Sequence, residues 1–339
     1  MSTIYGEYVE TLGGKFALAL VMFVEQGVVE TSALLVNSKV LPQGRYTKRA
    51  PRTTKAKVAK PVISVDEVVA VAPIADEGTT FLRPNGQAYH ARKWGEHQDV
   101  ATLRKAREAG SMFALLYGAP GTGKTALVEA CFPDVYTVMG TGDTEVSDFI
   151  GGYVQTPAGG FEWIDGPLIR AAEEGACLFI DEIGLIDPKV LSVVYGAMDG
   201  RKEIVVTANP ERGSVEIKEG FYVVSATNPN APGVRLSEAL LSRFTIQAEM
   251  STDWSLARTL GVPSSIVTCA QNLSKKQTSG EVSWSPQMRE LLAFRDIADV
   301  FGNTFAISNL LASSPEMDRP VVADVLSRVF GSECKPAKI

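Results

Sequence analysis

Between residues 112 and 248 the apolar positions of this 339-residue chain gather into short, unbroken runs. Residues 112–117 (MFALLY) end at a Gly-rich turn, and similar runs follow at 135–139, 177–180, 222–226 and 244–248. Continuous runs of this kind, without alternation, suit strands covered on both faces. Helical patterns lie between several of them, as at 167–174 and 188–198. Strands alternating with helices predict a parallel sheet between helical layers. From about Ser251 the strand signals stop, and helices are expected at 254–260, 265–273, 286–300, 305–311 and 320–330. The pattern as a whole predicts an α/β core over 81–250 followed by a helical domain over 251–339.

The first 44 residues carry one expected helix, roughly residues 5–25, with apolar positions too frequent for full exposure. It reads as a helical arm. From Arg45 to Lys60 the composition changes: Arg45, Lys48, Arg49, Arg52, Lys55, Lys57 and Lys60 occur with no acid among them. Such a stretch buries little apolar area and reads as part of a flexible linker over 45–80, with a contact to nucleic acid or an acidic partner as the sharper alternative. The whole chain has a formal net charge of −6, so no general electrostatic attraction to nucleic acid is expected. Four widely spaced cysteines and only two histidines argue against a zinc cluster and for a reducing compartment. The longest apolar run, 16–24, is shorter than the roughly 20 residues of a membrane span, and Glu7 and Glu10 stand where a signal peptide has basic residues. A cytoplasmic protein is expected.

The strongest chemical signal is Gly118-Ala119-Pro120-Gly121-Thr122-Gly123-Lys124-Thr125, followed by Ala126 in a helical run. It fits the phosphate-binding pattern G-x-x-x-x-G-K-[ST], which needs glycines so that backbone N–H groups can approach phosphate oxygens. A helix starting near Lys124 would aim its positive dipole end at the same place. Lys124 would serve the β- and γ-phosphates, and the Thr125 hydroxyl would ligate Mg²⁺. The run 177–180 ends in Asp181-Glu182, and two acids at the tip of an apolar strand are costly unless a cation meets them. Asp181 would hold Mg²⁺ through its water shell, and Glu182 would polarise an attacking water. The run 222–226 leads into Thr227-Asn228-Pro229-Asn230, where the Asn228 amide could contact both the γ-phosphate and that water. Arg243 and Arg289, one beside the fifth apolar run and one opening a helical segment, are ambiguous on their own. No N-K-x-D base-reading motif is present, which disfavours a GTPase.

The ordered series GAPGTGKT, LFIDE, SATNPN and LSEALLSRF resembles an AAA+ ATPase. More narrowly it is similar to the MoxR-like, dynein-related branch, which includes the CbbQ/NorQ activases and the CobS-type chelatase subunits. The branch-level likeness rests on 148–153 (DFIGGY) and 160–168 (GFEWIDGPL), where a β-hairpin is expected to interrupt the second core helix. A second hairpin is expected at 203–208 and 214–217. The likeness covers roughly 81–330 and implies a five-stranded parallel P-loop core with hairpin insertions and a C-terminal helical lid. It implies ATP and Mg²⁺, and a ring homo-oligomer, usually a hexamer, with ATP held between subunits. It makes Asn228 the sensor 1 residue and Arg243 an arginine finger reaching the neighbouring subunit's γ-phosphate. Arg289 becomes the sensor 2 residue, although Ser285-Pro286-Gln287-Met288-Arg289 departs from the Ser-Pro-Arg of close MoxR relatives. Tyr153, Phe161 and Trp163 would either pack the hairpin or engage a client. The expected work is remodelling of a protein partner, such as one bearing a von Willebrand A domain. A metal-chelatase motor and a nucleic-acid motor are the alternatives.

Overall fold

The computed structural model describes residues 16–25, 28–37, 78–331 and 333–336. The chain divides into two units, Met1–Ala70 and Val71–Ile339. In the first, Phe16–Glu25 and Val28–Asn37 pair as antiparallel strands, with Phe16 opposite Asn37 and Glu25 opposite Val28. This corrects the helix expected over residues 5–25. Crowded apolar positions fit a strand as well as a buried helix, and two adjacent runs of equal length, rich in valine, give each strand its partner. The remainder of that expected helix and the basic stretch 45–60 lie outside the described residues.

The second unit is built on five parallel strands: β1 Ala114–Tyr117, β2 Val135–Met139, β3 Cys177–Asp181, β4 Tyr222–Thr227 and β5 Ile246–Glu249, in the order β5-β1-β4-β3-β2. Every residue of β3 and β4 is buried, which is why both read as continuous runs in the sequence. Helix α1, Asp99–Glu108, precedes the sheet, and α2, Lys124–Cys131, joins β1 to β2. The path from β2 to β3 runs through α3, Val146–Ile150, a hairpin of Gly151–Gln155 with Phe161–Asp165, and α4, Pro167–Glu174. The second core helix is thus interrupted by a hairpin, as expected. Between β3 and β4 lie α5, Pro188–Met198, and the second hairpin, Glu203–Val205 with Ser214–Glu216. A short helix α6, Glu238–Leu241, leads into β5.

Five helices follow: α7 Trp254–Thr259, α8 Ser264–Thr278, α9 Met288–Phe301, α10 Asn303–Ser313 and α11 Arg319–Phe330. They enclose their own core, including Ile266, Leu273, Leu291, Phe294, Leu310 and Leu326, separate from the core around the sheet.

One side chain ties the far edge of the sheet domain together. Arg107 of α1 donates to the carbonyls of Gly220 and Gly175 at 2.7 and 2.8 Å and to both carboxylate oxygens of Asp134. The loops leading into β2, β3 and β4 are thereby fixed to one guanidinium. At the opposite end of the sheet the tips of β1, β4 and β3 lie side by side, and open α/β sheets bind ligands outside the carboxyl ends of their strands.

Candidate functional site

The turn after β1 carries three glycines with positive φ, Gly118 (146°), Gly121 (78°) and Gly123 (94°). Space is as restrictive as conformation here. A Cβ on Gly118 would lie 2.3 Å from the Met250 carbonyl oxygen, and one on Gly121 would lie 2.9 Å from the Arg289 Cβ. Close packing of loop, sheet and lid therefore excludes any side chain at these two positions. Gly123 caps α2, whose open first turn presents N–H groups and the positive end of its dipole to the cleft.

Lys124 is only 6% exposed, and its Nζ donates to the carbonyls of Gly118 (2.8 Å) and Ala119 (3.0 Å) rather than to a carboxylate. Burial lowers its pKa. Glu182 and Asp181 oppose that shift by their charges, and Arg289 reinforces it. A buried cation held only by carbonyls is suited to receive an anion.

The Thr125 hydroxyl donates to Asp181 Oδ2 at 2.9 Å, so the two side chains proposed as metal neighbours meet between the first turn of α2 and the tip of β3. Asp181 Oδ1 accepts from the Glu182 N–H at 3.0 Å. Glu182 itself has φ 50°, ψ 41°, the sole positive φ outside glycine among the described residues. A left-handed backbone on a residue other than Gly, Asn or Asp is costly and points to a positional demand. The bend turns the carboxylate toward β4, where Oε2 accepts the Asn228 N–H at 3.2 Å. The Asn228 side-chain oxygen accepts from the Asn230 N–H at 3.2 Å, which fixes the turn after β4.

A cleft of about 760 Å³ joins these groups. It contains Gly121 to Ala126, Asp181 and Glu182 on the sheet side and Leu256, Leu260, Met288 and Leu292 on the lid side, with Arg289 at the lid's edge. Arg295 and Asp296 also line the lid side, so a cationic phosphate-loop end faces a wall of mixed apolar and charged side chains, which suits a phosphate-bearing ligand with a planar base. The residues present also fit a divalent cation: a hydroxyl and a carboxylate already share one point, and a second carboxylate lies next in the chain.

Of the residues expected from sequence, the structure brings together the loop 118–126, Asp181, Glu182, Asn228 and Arg289. Arg243 does not line this cleft. It donates to Asp199 (2.8 Å) and to the Ala239 carbonyl, and its guanidinium lies 4.1 Å from the centre of the Tyr195 ring. In the first hairpin Tyr153 and Trp163 pack edge to face at 5.2 Å, whereas Phe161 is 71% exposed. Sequence reasoning missed α1 and the segment before it, including Tyr89, Arg92 and Asp99. Short strands (Thr80–Leu82, Ala88–His90, Lys93–Trp94, His97–Gln98) leave too few residues for any period to show.

A glycine loop at a strand tip, a lysine and a threonine opening the next helix, and an Asp-Glu pair on a neighbouring strand define a P-loop nucleotide-binding domain. Residues 114–244 match the family model of the AAA domain, dynein-related subfamily. The core is thus similar to AAA domains of that subfamily. Among curated proteins, the uncharacterised YojN of Bacillus subtilis is 34% identical over 176 residues, which cover 49% of this chain and 57% of YojN. An uncharacterised protein of Staphylococcus aureus (strain USA300) is 36% identical over 142 residues, 39% of this chain and 53% of that one. The chain thus spans about half the length of the curated relatives it matches. A solved structure from Cytophaga hutchinsonii, named "putative ATPase", is 15% identical with a TM-score of 0.37, over 70% of this chain and 89% of that one. Among the described residues no helix is long and apolar enough to cross a membrane.

Proposed function

We propose that this chain is a MoxR-like AAA+ ATPase that hydrolyses ATP at a site completed by a neighbouring subunit and uses the cycle to remodel a protein partner. The observation that carries the reading is the junction of the first turn of α2 with the tips of β3 and β4: Thr125 on Asp181, and Glu182 on Asn228. Lys124 and the N–H groups of 121–126 would bind the phosphates, and Arg289 would approach them from the lid. Thr125 and Asp181 would hold Mg²⁺, which when bound neutralises phosphate charge. Glu182, its backbone bent toward Asn228, would orient water and accept its proton as the water attacks the γ-phosphorus, the bond to the bridging oxygen of ADP breaking in the same step. Arg243 stands outside its own cleft, which supports a role toward a second subunit. The neighbouring site would gain a cation that its own chain does not supply.

The surface of the two hairpins between β2 and β4 favours a protein partner over nucleic acid. Apolar Phe161 and Val154 stand exposed on the first hairpin, and neither hairpin carries a basic cluster. A metal-chelatase subunit would be the same engine with another client. The test is the steady-state ATPase rate of the full chain, with magnesium and after chelation, and with added duplex or single-stranded DNA. Magnesium-dependent hydrolysis indifferent to DNA is expected. Stimulation by DNA would replace the remodelling reading with a nucleic-acid motor, and absence of hydrolysis at every protein concentration would overturn it.

A further inference from the structure

Arg92 precedes the matched AAA domain, yet it makes more bonds than any other arginine near the cleft. Its Nη1 donates to the Thr122 carbonyl in the phosphate loop at 3.1 Å and to the Ser251 carbonyl at 3.2 Å. Thr122 belongs to the glycine turn, whereas Ser251 lies in the four-residue passage from β5 to α7, where the chain leaves the sheet domain for the lid. Its Nη2 lies 3.8 Å from the Met250 sulfur in the same passage. The other end of the guanidinium is fixed in turn. Nε donates to the Tyr89 hydroxyl at 3.2 Å and faces Asp99 at 3.7 Å, and that hydroxyl donates to Asp99. Asp99 Oδ1 accepts the Arg92 and Val100 N–H groups. Asp99 is 5% exposed and Tyr89 6%, so the whole anchor is buried.

We propose that Arg92 is a positioning residue that couples the phosphate loop to the lid, so that nucleotide in the cleft sets the lid's angle. The inference rests on the nucleotide-binding reading of the site and adds a route by which occupancy is read. The guanidinium is a rigid fork, and a change in the position of the Thr122 carbonyl acts through it on Ser251. From Ser251 the path continues in covalent sequence. Thr252 donates to Gln287 Oε1 at 2.7 Å, and Gln287 caps α9 reciprocally with Glu290. That same α9 start carries Arg289, whose Cβ packs against Gly121. Phosphate loop, interdomain passage and the start of α9 therefore form a closed circuit, and Arg92, from the segment before α1, is its link.

A lysine at position 92 has the charge but no fork, so it would reach one carbonyl at a time. Arg92→Met removes the link and leaves Asp99 buried with a single side-chain partner, Tyr89. Arg92→Met combined with Asp99→Asn removes that unpaired charge and keeps the test open if the single variant folds poorly.

The experiment uses the full chain with Cys334 replaced by serine and spin labels at the exposed positions Lys105, on α1, and Arg328, on α11. Label distances are recorded with and without ADP, beside ADP affinity from a fluorescent analogue and melting temperature. The parent protein is expected to shorten or narrow its distance distribution on binding ADP. Arg92→Met, or its Asp99→Asn double variant, should bind ADP about tenfold more weakly and show no distance change at saturating ADP, with Arg92→Lys intermediate. A purely structural role would lower the melting temperature and leave the ADP-driven change intact, and that result would overturn the inference. An unchanged affinity and an unchanged distance response would do the same. Failure of the parent to bind ADP would instead remove the nucleotide reading on which the inference stands.

Discussion

The carboxylate of Glu182 and the backbone N–H of Asn228 are hydrogen-bonded at 3.2 Å across the tips of β3 and β4. This contact exists because Glu182 adopts a left-handed backbone that a glutamate ordinarily avoids. The strain, of order 1–3 kcal/mol for such a residue, is maintained by the surrounding fold. The one acid of the site not bonded to Thr125 is therefore aimed at the junction of two strands, where a water would stand between it and a terminal phosphate.

Glu182→Gln should keep ATP binding and slow turnover by about 10²–10⁴, the usual worth of a positioned general base. Equilibrium binding and single-turnover hydrolysis, measured on the same preparation, check this. Normal single-turnover rates would move the water-activating role to another residue.

Lys124→Ala should abolish ATP binding by isothermal titration. The ligand-free protein should also carry a pH signature of the buried cation. Burial lowers the folded-state pKa of Lys124 below its ordinary value, so the folded protein binds fewer protons than the unfolded chain between the two values. Stability then rises with pH across that window, and the cost of the buried charge, full below it, is relieved toward pH about 10.5. The melting temperature of the wild type relative to Lys124→Met should therefore climb with pH as it approaches about 10.5. A difference that stays flat would show that Lys124 is not penalised by burial.

Arg243→Ala should leave nucleotide affinity within about twofold and reduce hydrolysis by about 10³, the lower range for an arginine finger. Mixing Arg243→Ala chains with Lys124→Ala chains, each inactive alone, should restore part of the activity, since one supplies the intact cleft and the other the intact arginine. No recovery in the mixture would place Arg243 outside the chemistry.

Arg107→Met should lower unfolding free energy by about 2–3 kcal/mol in urea titrations, because two loop carbonyls and the Asp134 carboxylate lose their donor together. Asp134→Asn should cost about 1 kcal/mol or less, since that carboxylate is partly solvated. Equal losses for both variants would contradict the clamp described above.

The sheet domain was readable because its chemistry and its packing coincide. β3 and β4 are wholly buried, so their composition marks them, and the polar residues that end them are the ones that form the cleft. Asp181 and Glu182 could be placed at a strand tip from sequence, but the backbone bend at Glu182 could not, since it depends on contacts made by β4. Arg289 was harder to place because its proximity to Gly121 is set by lid packing, between residues far apart in the chain. The hairpin of 16–25 with 28–37 was misread as part of a helix, since crowded apolar positions carry no clear period. Arg92 was missed for a different reason: its acceptors are backbone carbonyls at Thr122 and Ser251, and no motif records a carbonyl.

The most direct test of a shared ATP site is the solution mass of the Glu182→Gln protein with and without ATP, beside the specific ATPase rate of the wild type over a wide range of protein concentration. A closed ring of about six subunits in ATP and a specific rate that rises as subunits associate are expected. A monomer in ATP, with hydrolysis independent of concentration, would contradict it and leave a solitary P-loop enzyme in its place.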